Sequence, residues 1–235
     1  MSRNPRNPRN AAALSTSGLS KNYGDRPALE PLDLEVAVGQ HIALVGHNGS
    51  GKTTLLKMAA GLLDPSDGEV KICGHESGSE GARRSLTWLS DSPTFYDDLS
   101  LWEHLEYIAR LHGVEEWEEP AERLVVALGI SDRRNDIPTT FSRGLRQKAA
   151  ITLACVRPFD VWLVDEPFVG LDATGKEALL AEFDRAADRG ATLLVATHEL
   201  TFVKRVSRLL ALRDGQLTYD GPPSETDVNA LVMPS

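Results

Sequence analysis

One stretch limits the fold of this chain more than any other: Gly46-His47-Asn48-Gly49-Ser50-Gly51-Lys52-Thr53-Thr54. It is a full match to the phosphate-binding pattern G-x-x-x-x-G-K-[ST]. The flanks suit it. His41-Ile42-Ala43-Leu44-Val45 is a short apolar run of the kind a buried parallel strand shows. Lys52 to Ala60 has helical character, and Gly61 is placed to end that helix. Strand, tight glycine turn and helix together aim backbone N–H groups and a helix N-terminus at one point, where an anion is stabilised. All nine residues from Gly46 to Thr54 are therefore expected to bind nucleotide. Lys52 is expected on the β- and γ-phosphates and the Thr53 hydroxyl on Mg2+.

The rest of the chain supplies an α/β pattern around that loop. Leu14 to Tyr23 reads as a strand and turn, and Leu32 to Val38 alternates apolar residues with Asp33 and Glu35, as an antiparallel strand with one wet face does. Asp64-Pro65-Ser66-Asp67-Gly68 is a strong turn, followed by short strands at Glu69–Cys73 and Ser85–Leu89. Ser100 to His112 reads as a helix with Leu101, Leu105, Ile108 and Leu111 on one face, opened by a capping box between Ser100 and Glu103. Glu115, Glu116, Glu118, Glu119 and Glu122 read as a solvated helix face and turn. Pro120 suits the first turn of a helix that ends near Gly129. This helical middle, about 92–156, interrupts the strand–helix alternation and reads as an inserted helical subdomain. The alternation resumes with a helix at Ser142–Cys155, a strand at Val161–Val164, a helix at Gly175–Arg189, a strand at Thr192–Ala196, and a hairpin turned at Asp214-Gly215. The fold expected is a P-loop NTPase core with a mostly parallel sheet, an antiparallel β subdomain and the inserted helices.

A phosphate loop alone does not specify a reaction. In parallel sheets ligands sit at the carboxyl ends of the strands. Asp165 ends one apolar strand, so its carboxylate can face a magnesium ion. Glu166 follows and can orient and deprotonate an attacking water. Adjacent strand residues point to opposite faces, so the turn at Pro167 is expected to redirect Glu166. Two acids capping a strand end are the plainer reading. His198 ends another buried strand and is able to reach the γ-phosphate or the water. Tyr23, in Lys21-Asn22-Tyr23-Gly24, is a candidate to stack on a base, although a tyrosine before a glycine is also an ordinary strand end.

The net charge of −9 argues against general nucleic-acid binding, which favours a basic face. Cys73 and Cys155 lack metal-ligand spacing and read as buried thiols of a reducing compartment. No apolar run approaches the ~20 residues of a membrane span. Met1 to Asn10 repeats Asn-Pro-Arg, has no signal-peptide core, and reads as part of a disordered tail over 1–13. Residues 222–235 are expected as a C-terminal tail, with a short helix and a loose end from about Ser224.

From about Leu14 to Gly221 the chain resembles an ATP-binding cassette of the ABC transporter superfamily. Beside the phosphate loop and Asp165-Glu166-Pro167, the run Phe141-Ser142-Arg143-Gly144-Leu145-Arg146-Gln147-Lys148 resembles the family signature, at a helix start before the Asp-Glu strand. Gly170-Leu171-Asp172 resembles the D-loop, His198 the switch histidine, and Tyr23 the aromatic residue that stacks on adenine. The resemblance implies ATP and Mg2+ as cofactors, ATP hydrolysis with Glu166, His198 and Lys52 as catalytic residues, and a homodimer or heterodimer of cassettes. Each ATP would lie between one phosphate loop and the partner's Ser142, Arg143, Gly144 and Asp172. Two positions depart from the pattern. The signature usually reads L-S-G-G-Q, and here Phe141, Arg143 and Leu145 differ while Ser142 and Gly144 remain. Asp91 stands where the family has a glutamine, close to the expected metal with Thr53 and Asp165.

The implied function is the ATPase subunit of a transporter, cytoplasmic and peripheral on the inner face of the cell membrane, with separate integral membrane subunits as partners. The compact signature, short tail and lack of an added regulatory domain resemble an exporter more than a sugar importer. The alternative is a soluble ABC ATPase acting on a protein assembly, as in cofactor assembly. A nucleic-acid-linked relative would carry tandem cassettes or long coiled-coil insertions, and one cassette without sustained heptads appears here.

Overall fold

The computed structural model describes residues 12–232. The Asn-Pro-Arg repeat and the last three residues of the expected tail lie outside them. The first strand, β1 (Ala12–Tyr23), begins two residues inside the stretch expected as an N-terminal tail.

Two sheets form. The first is antiparallel, in the order β2 (Arg26–Ala37), β1, β4 (Asp67–Ile72), β5 (His75–Glu76). The second runs β10 (Gln216–Gly221), β9 (Arg208–Arg213), β3 (His41–Val45), β8 (Thr192–Ala196), β7 (Val161–Asp165), β6 (Leu86–Leu89). All its pairings are parallel except that of β9 with β10. The expected mostly parallel sheet beside an antiparallel one is therefore present.

The central strands read as unbroken apolar runs because both their faces are covered. Side chains alternate between faces. Ile42, Leu44, Val161, Leu163 and Leu194 join the core that contains Leu55 and Leu56 of α1 (Lys52–Ala59) and Leu14 and Leu19 of β1. Ala43, Val45, Trp162, Val164, Leu193 and Val195 face the other way, into the core built with α5 (Arg143–Cys155) and α6 (Ala173–Asp188). The β2 strand instead alternates, with Leu32, Leu34 and Val36 buried between exposed Glu35, Asp33 and Pro31. It also runs six residues further toward the N-terminus than its pattern suggests. Pro27 and Pro31 are tolerated because β2 is an edge strand and its outer side needs no N–H.

Two small elements escaped the sequence reading. The two-residue strand β5 and α2 (Glu80–Ser85) occupy the connection before β6, so Ser85 ends a helix and the strand begins at Leu86. Between β6 and β7 lie α3 (Leu101–Leu111), α4 (Glu118–Ala127), two short 3-10 turns and α5. Leu101 and Leu105 are buried as expected, but Leu111 is 64% exposed because the chain turns away at His112-Gly113. Arg123 of α4 grips the buried Glu182 of α6 with both terminal guanidinium nitrogens, at 2.5 and 3.1 Å, and Arg185 joins it. The last described elements are α7 (Leu200–Val203), the β9–β10 hairpin and α8 (Val228–Val232), a short helix as expected, whose Val228, Leu231 and Val232 pack on the core. The hairpin turns at Asp214 and Gly215, both with positive φ, the backbone a type I′ turn requires. The two cysteines are free; Cys73 is part-buried, while the Cys155 thiol is enclosed and burial pushes its pKa up. No described helix is long and apolar enough to cross a membrane.

The capping box at α3 is complete. Ser100 Oγ accepts from the Glu103 N–H at 3.3 Å, and the Glu103 carboxylate accepts from the Ser100 N–H at 2.8 Å. Ser100→Ala is expected to destabilise the fold by about 1 kcal/mol. Urea unfolding measures this, and an unchanged midpoint would mean that the cap contributes nothing.

Candidate nucleotide-binding site

The site is assembled by the ends of β3, β7 and β8 and the first turn of α1. Leaving β3, the chain turns at Gly46, whose φ is +149°. A Cβ there would sit 2.1 Å from the Leu212 carbonyl oxygen and 2.5 Å from Ser50 Oγ, so only glycine lets the loop pass this close to β9. Lys52 is the first residue of α1. Its side chain folds back into the loop, and the ammonium donates to the carbonyls of Gly46 at 2.6 Å and His47 at 3.2 Å. Burial lowers its pKa, and the negative charges of Glu166 and Asp165 work in the opposite direction.

Thr53 lies next in the same turn and donates through Oγ1 to Asp165 Oδ2 at 2.7 Å. Asp165, the last residue of β7, is 1% exposed. Burial raises its pKa, the Thr53 hydrogen bond opposes that, and the charges of Asp91 and Glu166 add to the rise. Its second oxygen, Oδ1, is buried and has no hydrogen-bond partner, and neither does the buried Ser50 Oγ. Polar atoms of this kind are rare in folded proteins, and two of them beside one phosphate-loop cleft leave acceptor capacity there for a bound group.

Glu166 resolves the problem of two successive acids on one strand. Its own backbone is left-handed, φ +44°, which is uncommon for a residue with a side chain and costs on the order of 1–3 kcal/mol. The redirection expected at Pro167 therefore occurs one residue earlier. The Glu166 N–H still donates to Ala196 of β8 at 2.9 Å, and its Oε1 lies 3.0 Å from His198 Nε2, just beyond the end of that strand. Parallel pairing of β7 with β8 thus sets the carboxylate and the imidazole side by side.

A cleft of about 350 Å3 opens here. It is lined by the loop from Asn48 to Thr54, by Asp91, Asp165 and Glu166, and by Ala28 of β2. Asp91 is thus in the same cleft as Thr53 and Asp165. Ala28 carries no chemical signature, and only the docking of the β2 edge on the loop brings it in. Four expected residues are not on the cleft wall: Gly46, His47, Tyr23 and His198, the last held beside Glu166. Gly46 and His47 stand behind it, where their carbonyls hold Lys52, and the His47 ring turns to Asp214, 3.2 Å away. Tyr23 stands 56% exposed at the β1–β2 turn, with the Lys21 ammonium 5.5 Å from its ring centre.

The signature residues lie elsewhere on the surface. Ser142 caps α5, and it and Arg143 are exposed. Gly144 packs against the loop before α6, where an added Cβ would stand 2.5 Å from the Gly170 oxygen. Asp172 caps α6 through the Gly175 N–H at 2.8 Å and accepts from Lys148 of the signature helix at 3.0 Å. The Lys148 hydrogen bond holds its carboxyl below the usual range. None of these four residues lines the cleft of their own chain.

Comparison with known proteins agrees with this geometry. Residues 29–169 match the ABC transporter family model. The SkfA peptide export ATP-binding protein SkfE of Bacillus subtilis is 30% identical over 210 residues, 88% of this chain and 88% of that one. The sn-glycerol-3-phosphate import ATP-binding protein UgpC 1 of Rhizobium johnstonii is 33% identical over 222 residues, 91% of this chain and 59% of that one. A solved ATP-binding subunit of an ABC transporter superposes with a TM-score of 0.86 at 29% identity, covering 93% of this chain and 97% of the other. The chain belongs to the ABC transporter family, and it is an ATP-binding subunit with ATPase activity.

Proposed function

We propose that two cassettes close head to tail around two ATP molecules and drive export of a substrate through separate membrane subunits. One observation carries the pairing: the Ser142 hydroxyl and the N-terminus of α5 form an exposed anion-binding end that takes no part in the cleft of its own chain. Placed over a second chain's phosphate loop, that end would complete the γ-phosphate's surroundings. Asp172, tied to the signature helix through Lys148, would link the two sites.

Within one cleft Lys52 would bind the β- and γ-phosphates. Thr53 and Asp165 fit a Mg2+ site, since a hydroxyl and a buried carboxylate oxygen without a partner converge there. A bound Mg2+ would neutralise charge on the phosphates. Among the described residues no group of three or more His, Cys, Asp or Glu forms a metal site by itself, which agrees with an ion held by one or two protein groups and by phosphate. Glu166 would take a proton from the attacking water, and His198, 3.0 Å away, would hold the carboxylate in place. Asp91 keeps an acceptor in the cleft and adds negative charge where an amide would have donated.

Export is supported by the likeness over 88% of both chains to SkfE, a peptide export protein. The membrane subunits would dock beside the loop that follows β6, between α3 and α5. Purification of a tagged chain from detergent-solubilised membranes tests the transporter reading. A polytopic membrane protein is expected in stoichiometric amount. Recovery with soluble protein partners alone would replace it with the protein-assembly alternative.

A further inference from the structure

A hollow of about 510 Å3 lies between the loop that follows β6 and the start of α5. Of the residues that line it and the nucleotide cleft, Asp91 alone belongs to both walls. Its carboxylate therefore stands between two spaces. On the cleft side it joins Asp165 and Glu166, and Lys52 is the one cation there. The Asp91 charge is felt in the cleft, since it adds to burial in raising the pKa of Asp165. On the other side Arg143, Arg146 and Gln147 of α5 line the hollow.

These three residues are donors without acceptors. Among the described residues neither arginine side chain makes an ion pair or a hydrogen bond. Gln147 is 3% exposed, and its Nε2 is buried without a partner. Positions three and four apart share one face of a helix, so the donors form a row. The opposite wall carries two acids, Asp91 and Asp97, which would repel a free anion. The acceptor that fits these donors is therefore a carboxylate of the chain itself. A buried donor without an acceptor is costly, and a guanidinium offers a planar fork that suits a carboxylate. Asp91 Oδ1 accepts from the adjacent Ser90 hydroxyl at 3.2 Å. Residues 90–97 form no helix or strand, so a small movement of this loop brings Asp91 to α5.

We propose that Arg143 is a positioning residue for the cleft, pairing with the Asp91 carboxylate across the hollow, with the Gln147 amide as a second donor. One carboxylate oxygen is then held toward α5, and the other remains an acceptor in the cleft. The pair has no net charge. The triphosphate thus meets an acceptor without a third carboxylate charge beside those of Asp165 and Glu166. Asp91 and Arg143 each put a charge where the family pattern has none, and in this arrangement each offsets the other. The proposal rests on the nucleotide reading of the cleft and needs no second chain.

The test is a double-mutant cycle. A fluorescent ATP analogue is titrated with Mg2+ into the unaltered chain, Arg143→Gln, Asp91→Asn and the double variant, at concentrations where light scattering finds monomers. Arg143→Gln is expected to raise Kd about tenfold in the unaltered background and to change it less than about twofold beside Asp91→Asn. Arg143→Lys keeps the charge and is expected to lose less than Arg143→Gln, and an equal loss overturns the charge argument. The same loss from Arg143→Gln in both backgrounds overturns the proposal, since Arg143 would then act on the nucleotide and not through Asp91. An unchanged Kd in Arg143→Gln also overturns it, as does coupling of Asp91 to Arg146→Gln in place of Arg143→Gln. Asp91 and Arg143 are both exposed, and a thermal melt checks each variant. If Asp91→Asn does not fold, Asp91→Gln takes its place in the cycle. Failure of the unaltered chain to bind the analogue overturns the reading of the cleft itself, whereas additive effects overturn the pairing alone.

Discussion

Lys52→Ala is expected to abolish ATP hydrolysis, with a fall in kcat of about 10²–10³-fold, the usual effect of removing one donor aimed at developing charge. Lys52 is 7% exposed and its ammonium is held by the Gly46 and His47 carbonyls, so its position is set before nucleotide arrives. Removing it has a second consequence. The cleft also contains the carboxylates of Asp91, Asp165 and Glu166. Without Lys52 those charges face the polyphosphate with less opposition, and ATP binding weakens as well. Two loop carbonyls also lose their donor, so a thermal melt is needed beside the activity assay. Phosphate release and binding of a fluorescent ATP analogue separate the effects. Normal turnover in a folded Lys52→Ala protein would sink the scheme for this cleft.

The parts of the site that could be read from the sequence were those where local geometry demands particular residues. The phosphate loop needs its glycines, the strand before it must be apolar on both faces, and Asp165 had to end a strand because polar residues follow four buried ones. Ser100 and Glu103 were legible for the same reason, since a helix start leaves N–H groups that only such side chains satisfy. What depends on distant packing was not legible. Ala28 lines the cleft because β2 docks on the loop at Gly51, where an added Cβ would stand 2.7 Å from the Ala28 oxygen, and nothing in its neighbours announces that. The Arg123–Glu182 clamp joins helices 59 positions apart in sequence. The left-handed backbone of Glu166 is a tertiary result too. With its positive φ, its N–H is bound to Ala196 while its carboxylate reaches His198. The phosphate-loop positions Gly46 and His47 fit the motif, yet their work is to hold Lys52 from behind.

Glu166→Gln is expected to bind ATP and to hydrolyse it about 10²–10⁴-fold more slowly, the range by which a positioned base accelerates such a step. The substitution keeps the side chain's size and makes the same backbone demand at φ +44°, so the loop keeps its shape. The amide can still hydrogen-bond to His198 but cannot take a proton from water. Lys52, Thr53 and Asp165 are untouched, and the cleft loses one negative charge, so the nucleotide is held at least as well. If the exposed end of α5 completes a partner's site, ATP that is not hydrolysed keeps two chains together. Light scattering after size exclusion should then find a monomer without nucleotide and a dimer with Mg-ATP. Normal hydrolysis in this variant would remove Glu166 as the base. A slow variant that stays monomeric with ATP bound would preserve the base and change the account of closure. The weak points would then be Asp91, which adds charge beside the phosphates, and Arg143 and Leu145 at the signature. Restoring Asp91→Gln or Arg143→Gly in the Glu166→Gln background separates them, because an ATP-dependent dimer regained by one change alone identifies which departure opposes closure. A monomer in both leaves closure to the membrane subunits, whose docking would have to supply the alignment that the two cassettes cannot reach alone.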